Sequence, residues 1–404
     1  FGFILPHKFF QTQYGEPLRK LIADNKSLSK IVDFTTNQIF ENATTYTCLL
    51  FLSKKENKEF KYLKLALKDD FVNLDKKENF EIMPSSKLKS NVWCFHTLAA
   101  SKVVEKLNLV QTKLVDITKK IFKGSSTGND KIYLLRLIKE KDKTCVVFSE
   151  QVDKEIELEK NILKPFLFGS DIKKYGGPQT KIRILFPYEI VGDRVNLIPI
   201  EKLKKEYPLS FEYLSSVKLI LMNRKIDHAA NDFYKYSAAR SLIEYNQTKI
   251  MIPDILVENR ITIDLNGSFY HGPAIHSIVF NEKVKNYNPL FFLGIFNSKL
   301  FWFYLTQTST ALRGNAYRLI PQFLEPFPIK LINFNDPSEK AIHDKLVSLV
   351  DRMLELHKKK NSLPPSAERE KIEREIAVTD EKIDEIVYGL YGVTDEERRT
   401  IEGN

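Results

Sequence analysis

Apolar positions in the first 55 residues alternate between strand and helix periods. β-Branched and aromatic runs at residues 3–5, 31–34 and 45–52 predict strands, and Leu18, Leu21 and Ile22 share one helical face. The order strand, helix, strand, strand indicates the last part of an α/β sheet whose earlier strands are absent. Because the chain also begins without Met and inside an apolar run, we expect a fragment of a longer protein.

The middle of the chain contains two segments with different sequence patterns. Residues 56–111 read as a Lys-rich connector that ends in an apolar helix. From 112 to 330, short strand-like runs separated by Gly- and Pro-containing turns predict a mixed α+β domain. Within it, residues 288–306 are apolar nearly all round, which predicts a single buried helix.

The tail, residues 337–404, carries apolar residues at three- and four-residue spacings on both sides of the turn NSLPPS. This pattern predicts two long amphipathic helices that fold back as an antiparallel hairpin. The sequence therefore divides into residues 1–55, the C-terminal strands of an α/β domain; 56–111, a connector; 112–330, an α+β domain; and 337–404, a helical hairpin and tail.

Composition excludes several classes of protein. The 404 residues are 43% apolar and 28% charged, as in globular proteins, which argues against a disordered or fibrous chain. The longest apolar runs are far shorter than the roughly 20 residues of a membrane span. The three cysteines lie far apart, so we expect a cytoplasmic protein without disulfides or a CxxC metal site.

The charge is unevenly distributed. The whole chain carries +10, but residues 337–404 contribute −4, so residues 1–336 carry +14. The first sixty residues hold 8 basic and 6 acidic side chains, which places most of the excess in the middle. A concentrated positive field favours a polyanionic partner such as nucleic acid, although many proteins are mildly basic without one.

Motifs for catalysis are weak. There is no GxGxxG, and KGSSTG at residues 123–128 lacks the GK[ST] ending of a phosphate loop, so it reads as a flexible turn. His271 and His276 have no nearby Cys or carboxylate in sequence, which favours a structural role. Asp254, Glu258 and Arg260 approach the spacing of a metal-dependent nuclease, but Arg stands where Lys is expected.

Basic and aromatic side chains cluster in loops of the α+β domain. Arg and Lys neutralise phosphates, Arg also reads guanine edges, and aromatic rings pack on sugars and bases. Each cluster alone is also compatible with a solvated loop; together they favour nucleic-acid binding. The candidate DNA-binding residues are Lys123, Lys173, Lys174, Tyr175, Arg224, Lys225, Arg240, Arg313, Tyr317 and Arg318.

Several segments occur in the order of a known family. These are FGFILPHKFF, GEPLRKLI, KIVDFTTNQIF, TTYTCLLFLSK, LVDITKKIFKGSSTGNDKIYLL, KPFLFGSDIKKYGG, ILFPY, LFFLGIFNSKLFWFY, FLEPFPI and IDEIVYGLYGVTDEERRTIE. Over nearly the whole chain they resemble the C-terminal half of a TaqI-like adenine-specific DNA methyltransferase, as found in type IIG restriction–modification enzymes. The resemblance implies the end of a Rossmann-like methyltransferase sheet, then a target-recognition domain that binds double-stranded DNA.

The resemblance also implies what this chain lacks. The family's glycine-rich S-adenosylmethionine loop and NPPY tetrapeptide do not occur here. We therefore expect no catalytic residue, metal or cofactor in this chain, with S-adenosylmethionine bound mainly by an absent half. Phe40 matches the family's aromatic residue that stacks on a flipped adenine. From the residues alone, Phe40 is equally suited to anchor a hairpin to the core.

The sequence thus predicts sequence-specific duplex recognition that presents an adenine to a separate catalytic half. An alternative is a specificity or assembly subunit whose helical tail docks a methyltransferase or nuclease chain. A third hypothesis, an intrinsic nuclease using Asp254, is the least favoured, because type IIG nucleases generally precede the methyltransferase.

Overall fold

The computed structural model describes residues 1–403 apart from 36, 38, 43–44, 66–79, 94, 96–97, 193, 228, 230 and 313–314. Its elements form three regions along the chain. The first region contains β1 (Gly2–Pro6), α1 (Glu16–Asp24), β2 (Leu28–Asp33), β3 (Thr47–Leu52), β4 (Glu59–Lys64), β5 (Glu81–Pro84) and α2 (Leu98–Asn108).

The second region is a succession of short strands and helices. Its first part contains α3 (Leu114–Ile117), β6 (Thr118–Lys123), α4 (Asp130–Tyr133), β7 (Leu134–Glu140), β8 (Thr144–Ser149), β9 (Lys154–Glu159), β10 (Leu163–Leu167), β11 (Ile182–Leu185), β12 (Tyr188–Val191), β13 (Arg194–Leu197), α5 (Ile200–Glu206), α6 (Pro208–Ser216) and α7 (Lys218–Met222). Its second part contains β14 (Lys249–Pro253), β15 (Ile255–Leu256), β16 (Thr262–Asp264), β17 (Tyr270–His271), β18 (Ile275–Phe280), α8 (Pro289–Asn297), α9 (Lys299–Thr308), β19 (Thr310–Leu312), β20 (Ala316–Arg318) and α10 (Pro321–Leu324). The third region is helical, with α11 (Pro337–Ser362), α12 (Ala367–Tyr391) and α13 (Asp395–Glu402).

The first region is a five-stranded sheet in the order β1-β3-β2-β4-β5. β2 and β4 are parallel, and the other neighbours are antiparallel. Two of these strands, β4 and β5, come from the segment that the sequence suggested was only a connector. In β4, EFKYLK alternates charged residues with the buried Phe60 and Tyr62, and Leu63 is buried on the opposite face in a second apolar cluster. The Lys-rich composition of the segment concealed this alternation.

The second region contains two larger sheets. One has six strands in the order β17-β10-β11-β7-β8-β9, and the other has four in the order β16-β14-β18-β6. A three-stranded sheet, β15-β20-β19, and the hairpin β12-β13 complete it. Strands that are distant in sequence are thus paired. As a result, the ends of β6, β14 and β20, at residues 123, 253 and 318, lie near one another.

The apolar stretch at 288–306 is two helices, so the prediction of one helix was wrong. α8 ends at Asn297, and Ser298 adopts an extended backbone and caps α9, its hydroxyl accepting from the Phe301 amide at 3.2 Å. Asn297 Oδ1 accepts from the Ile261 amide at 3.0 Å, which ties the break to the next sheet. Both helices are buried, as predicted. Among the described helices, none combines the length and hydropathy needed to cross a membrane.

The two long helices of the third region pack on each other and on α8. Arg352 of α11 donates to Glu375 of α12 at 2.6 Å, and the four residues between the helices form the turn. Gly294 allows the contact with α8, because a Cβ there would lie 2.9 Å from methyl carbons of Leu346 and Val350. The largest apolar core of the described chain joins these helices with the four-stranded sheet.

Candidate nucleic-acid interface

Phe40 lies in the loop that follows β2, at the carboxyl ends of the parallel strands β2 and β4. Ligand sites of open α/β sheets form at such ends. In this loop Ile39 packs against the apolar cluster of Val32, Phe34 and Leu63, whereas Phe40 keeps 47% of its surface exposed. Ile39 thus packs on the core from this loop, and Phe40 is about half exposed.

Asp33, the last residue of β2, fixes the start of this loop. Its carboxylate accepts from the Thr35 amide at 2.8 Å and from the Tyr62 hydroxyl at 3.2 Å, and it pairs with His7 Nδ1 at 2.9 Å. Burial, reinforced by Asp33, raises the pKa of Tyr62 well above its usual value, so this phenol remains a donor. The geometry at the base of the Phe40 loop is thus set by three groups that converge on one carboxylate.

A cleft separates this loop from the second region. Asp33 lines one side, and Gln307, Ser309 and Tyr317 line the other. The Tyr317 ring meets Trp302 edge-on, with centroids 5.6 Å apart. Ser309 Oγ is buried and has no hydrogen-bond partner among the described residues, so this wall of the cleft offers a free polar group. Tyr317, one of the predicted DNA-binding residues, therefore faces the Phe40 side of the molecule.

Asp254 brings two of the predicted basic residues together. Lys123 Nζ and Arg318 Nη2 lie 3.6 and 3.5 Å from Asp254 Oδ2, although these residues are nearly 200 positions apart. His276 Nε2 lies 3.6 Å from the other oxygen. Lys123 leads directly into the turn at 124–128, and Arg318 ends β20. Sequence reasoning treated Asp254 only as a possible nuclease ligand and missed this role.

His276 is fully buried, and among the described residues neither its ring nitrogens nor Asp254 Oδ1 has a partner at hydrogen-bond distance. Burial lowers the pKa of His276 to about 4, so the ring is neutral at physiological pH. With a neutral ring, the Asp254 carboxylate is balanced by Lys123 and Arg318 among the described residues. Those cations remain partly exposed, with side-chain exposures of 36% for Lys123 and 47% for Arg318.

The turn at 123–128 also holds Arg240. Ser125 Oγ donates to the Arg240 carbonyl at 2.9 Å and accepts from its amide at 3.0 Å, while the Arg240 side chain is exposed. The glycine at the start of the turn is required, because a Cβ on Gly124 would lie 1.9 Å from the His271 carbonyl oxygen. The turn predicted to be flexible is therefore closely packed.

Arg224 and Lys225 have different roles. Arg224 donates to the carbonyls of Leu221, Thr127 and Phe233 at 3.0, 2.7 and 2.6 Å, so its guanidinium closes the far end of the turn. Lys225 next to it is exposed. Arg224 thus stabilises the turn, whereas the Lys225 side chain is exposed to solvent, where a binding partner can reach it. We name Lys123, Lys225, Arg240 and Arg318 the basic loop cluster.

The segment at 173–175 is not part of this cluster. Lys173 is exposed, but Lys174 Nζ pairs with Asp380 of α12 at 2.5 Å. Tyr175 is fully buried, and burial raises its pKa well above the usual value. A ring enclosed in this way does not reach a nucleic acid, so Tyr175 is corrected from a binding to a core residue. Arg313 lies outside the described residues.

The remaining catalytic hypotheses find little support. His271 is buried, with Nε2 2.6 Å from Ser277 Oγ and Nδ1 3.0 Å from the Gly272 carbonyl, which is a structural arrangement. Within the described part of the chain, no three His, Cys, Asp or Glu side chains are grouped to hold a metal ion. Asp254, the centre of the nuclease hypothesis, instead pairs with Lys123 and Arg318.

Comparison with known proteins defines the class of this fold. Residues 164–329 match the model of the TaqI-like C-terminal specificity domain, and residues 1–40 match that of the Eco57I restriction-modification methylase. The resemblance to TaqI-like methyltransferases and type II restriction–modification enzymes is therefore confirmed. The chain carries a TaqI-like specificity domain behind a segment of methylase type.

Among individual proteins, the chain is 29% identical to the Type II restriction enzyme and methyltransferase RM.Eco57I of Escherichia coli, over 99% of this chain and 42% of that protein. It is 22% identical to the Type II methyltransferase M.HindII of Haemophilus influenzae, over 87% of this chain and 68% of that one. The Type IIL restriction-modification enzyme MmeI, solved in complex with DNA, superposes with a TM-score of 0.57 at 13% identity, covering 99% of this chain and 48% of that one. The likeness to MmeI concerns the fold.

Proposed function

We propose that this chain recognises a duplex DNA sequence for adenine methylation in a restriction–modification system. The observation that carries the proposal is the basic loop cluster: Lys123 and Arg318 share Asp254, the Arg240 backbone bonds to Ser125 of the turn, and Lys225 follows Arg224, which closes that turn. Positive side chains held on a rigid element are suited to phosphate contacts and to base edges in the major groove.

The first sheet supports an attached methyltransferase half. β1 pairs with β3 on one side, and β3 lies antiparallel between β1 and β2, so the sheet has an open edge at β1 among the described residues. Phe3 and Ile4 on β1 are about half exposed. An exposed apolar edge strand is a template for pairing with a further strand. We propose that β1–β3 form the end of a Rossmann-like sheet whose catalytic strands lie in a longer polypeptide.

S-adenosylmethionine would bind mainly to that catalytic half, since its loop and the NPPY motif are absent from this sequence. When bound, the cofactor supplies the methyl group. The residues here would orient the substrate: the basic loop cluster holds the duplex, and Phe40 provides a flat apolar face for an extruded adenine. In this proposal the first region presents the adenine through Phe40, and the second region holds the duplex through the basic loop cluster.

A selection experiment tests the sequence-recognition step. The full chain is incubated with a randomised duplex pool, and bound molecules are amplified and sequenced over several rounds. We expect enrichment of one short motif that contains an invariant adenine. A pool that stays random while the protein binds it would contradict sequence recognition and leave only non-specific DNA binding.

The role of Phe40 is tested on the selected duplex with 2-aminopurine in place of that adenine. Extrusion removes stacking on neighbouring bases, so binding should raise the fluorescence, and stacking on Phe40 should limit the rise. We expect the complex of Phe40→Ala to be more fluorescent than that of the wild type, and the complex of Phe40→Trp to be close to the wild type. Identical signals for all three proteins would refute the role.

A further inference from the structure

Two exposed apolar residues lie beside the basic loop cluster. Ile255, in β15, and Val257 keep 48% and 60% of their surface exposed, whereas Leu256 between them is buried. This alternation places Ile255 and Val257 on the outward side of the edge and Leu256 in the core. We propose that Ile255 and Val257 contact the methyl groups of thymines in the major groove of the bound duplex, an inference that rests on the proposed function.

The strand register sets Ile255 next to a cation of the basic loop cluster. In the sheet β15-β20-β19, Ile255 lies directly opposite Arg318, whose other cross-strand partner is Thr310. Side chains that are directly opposite in an antiparallel pair lie on the same face of the sheet, with Cβ atoms about 4.5–5.5 Å apart. A duplex whose backbone reaches Arg318 therefore also reaches Ile255.

The backbone that carries Ile255 is fixed by hydrogen bonds. The Asp254 amide donates to the Ala274 carbonyl, and the Leu319 amide donates to the Asp254 carbonyl, both at 2.8 Å. Ile255 follows Asp254 directly and pairs with β20, so its position is set by both neighbours. Ile and Val are β-branched, and their side chains have little rotamer freedom to lose when a partner covers them. The two residues thus form a pre-organised apolar contact surface.

The charges around this surface indicate its partner. β15 has an unpaired edge among the described residues, and edge strands usually avoid exposed apolar side chains unless a partner covers them. The neighbouring cations favour a polyanion, and the thymine methyl is the apolar group that base pairs present in the major groove. Glu258, which follows Val257, is exposed as well. Phosphates repel a carboxylate, whereas the cytosine amino group donates to one, so this end of the surface is suited to base edges rather than to the DNA backbone.

Replacing thymine by deoxyuridine removes this methyl group and leaves the base pairing unchanged. Fluorescence anisotropy compares the affinity of the full chain for the duplex obtained by selection with its affinity for the same duplex carrying deoxyuridine at every thymine of the motif. Burying one methyl group changes an affinity about fourfold, so the wild type should bind the deoxyuridine duplex about fourfold more weakly for each methyl group contacted.

The double variant Ile255→Thr/Val257→Thr keeps both side chains β-branched while it removes apolar surface. It should bind the thymine and deoxyuridine duplexes equally well. Its slope of log affinity against log salt should match that of the wild type, because no cation has changed. The control Ile138→Thr/Val191→Thr alters residues of similar exposure, 42% and 63%, on β7 and β12, and should keep the wild-type preference for thymine.

Thermal melting separates lost contacts from lost folding, and the Tm of the double variant should equal that of the control, since surface substitutions are nearly neutral. Equal binding of the two duplexes by the wild type would overturn the proposal. A double variant that keeps the preference for thymine, or that loses the same affinity for both duplexes, would overturn it too. A wild type that binds no duplex would instead refute the proposed function, and this inference with it.

Discussion

The buried ion pair between Lys249 and Asp264 supports the strand that leads to Asp254. The two side chains are 0% and 2% exposed, and Lys249 Nζ lies 2.5 Å from Asp264 Oδ2 and 2.7 Å from the Tyr245 carbonyl. Asp264 also accepts from the amides of Ser268 and Phe269 at 3.1 and 2.8 Å. β14 begins at Lys249 and ends one residue before Asp254.

Removing one partner of such a pair leaves the other charge buried and uncompensated, which typically costs about 3–5 kcal/mol. In Lys249→Met the Asp264 carboxylate keeps its two backbone donors but loses its counter-ion. At about 2–4 °C per kcal/mol for a domain of 150–250 residues, the Tm should fall by roughly 6–20 °C. The double variant Lys249→Met/Asp264→Asn should lose much less than the sum of the single variants, since no charge remains.

Melting followed by circular dichroism measures these values, with the exposed Lys285→Met as control. The control should melt within about 1 °C of wild type, because surface changes away from such features are nearly neutral. A Lys249→Met protein that melts like the control, or single variants whose effects add fully, would refute the argument.

Three further predictions concern stability and its separation from binding. Burial raises the pKa of Asp384 to about 6 from 3.8, so the folded state binds this proton more tightly and the free energy of unfolding falls as pH rises from 4 to 6. In urea unfolding, the stability of Asp384→Asn should therefore rise by about 2–3 kcal/mol relative to that of the wild type over this pH range. A difference in stability between the two proteins that does not change with pH would contradict this. Gly124→Ala should lower the Tm by several degrees through its backbone clash, whereas Gly177→Ala, with nothing within 4 Å, should not; equal melting would argue against a packed turn. Arg224→Met should lower the Tm, whereas Lys225→Met should not. Lys225→Met should instead make the slope of log DNA affinity against log salt shallower by about 1. The reverse pattern would show that Arg224 contacts DNA and Lys225 stabilises the fold.

Much of the fold could be predicted from local patterns, and the errors have physical causes. Strands near residues 2–6, 28–33 and 47–52 followed from their β-branched and aromatic runs. The break at Ser298 was hidden because hydropathy alone does not distinguish one apolar helix from two that share a capping serine. β4 was hidden because the charged residues Glu59, Lys61 and Lys64 lie at exposed positions beside its three buried side chains.

The candidate site was only partly accessible from sequence. Lys123 and Arg318 were chosen as loop cations, but their meeting at Asp254 depends on pairing between distant strands. Tyr175 looked exposed because glycines follow it, yet packing encloses it. The roles of Phe40 and the exposed cations stay predictions.

The central claim is that the basic loop cluster grips duplex DNA, and its most direct measurement is the salt dependence of duplex affinity. Fluorescence anisotropy of a labelled duplex is recorded from 50 to 200 mM salt for wild type, for a variant with Met at Lys123, Lys225, Arg240 and Arg318, and for a control with Met at the exposed Lys345, Lys358, Lys371 and Lys382 of α11 and α12. Each phosphate contact contributes about −0.9 to the slope of log affinity against log salt, so the cluster variant should be shallower by roughly 3–4 and the control unchanged. Equal slopes for the two fourfold variants would contradict the account.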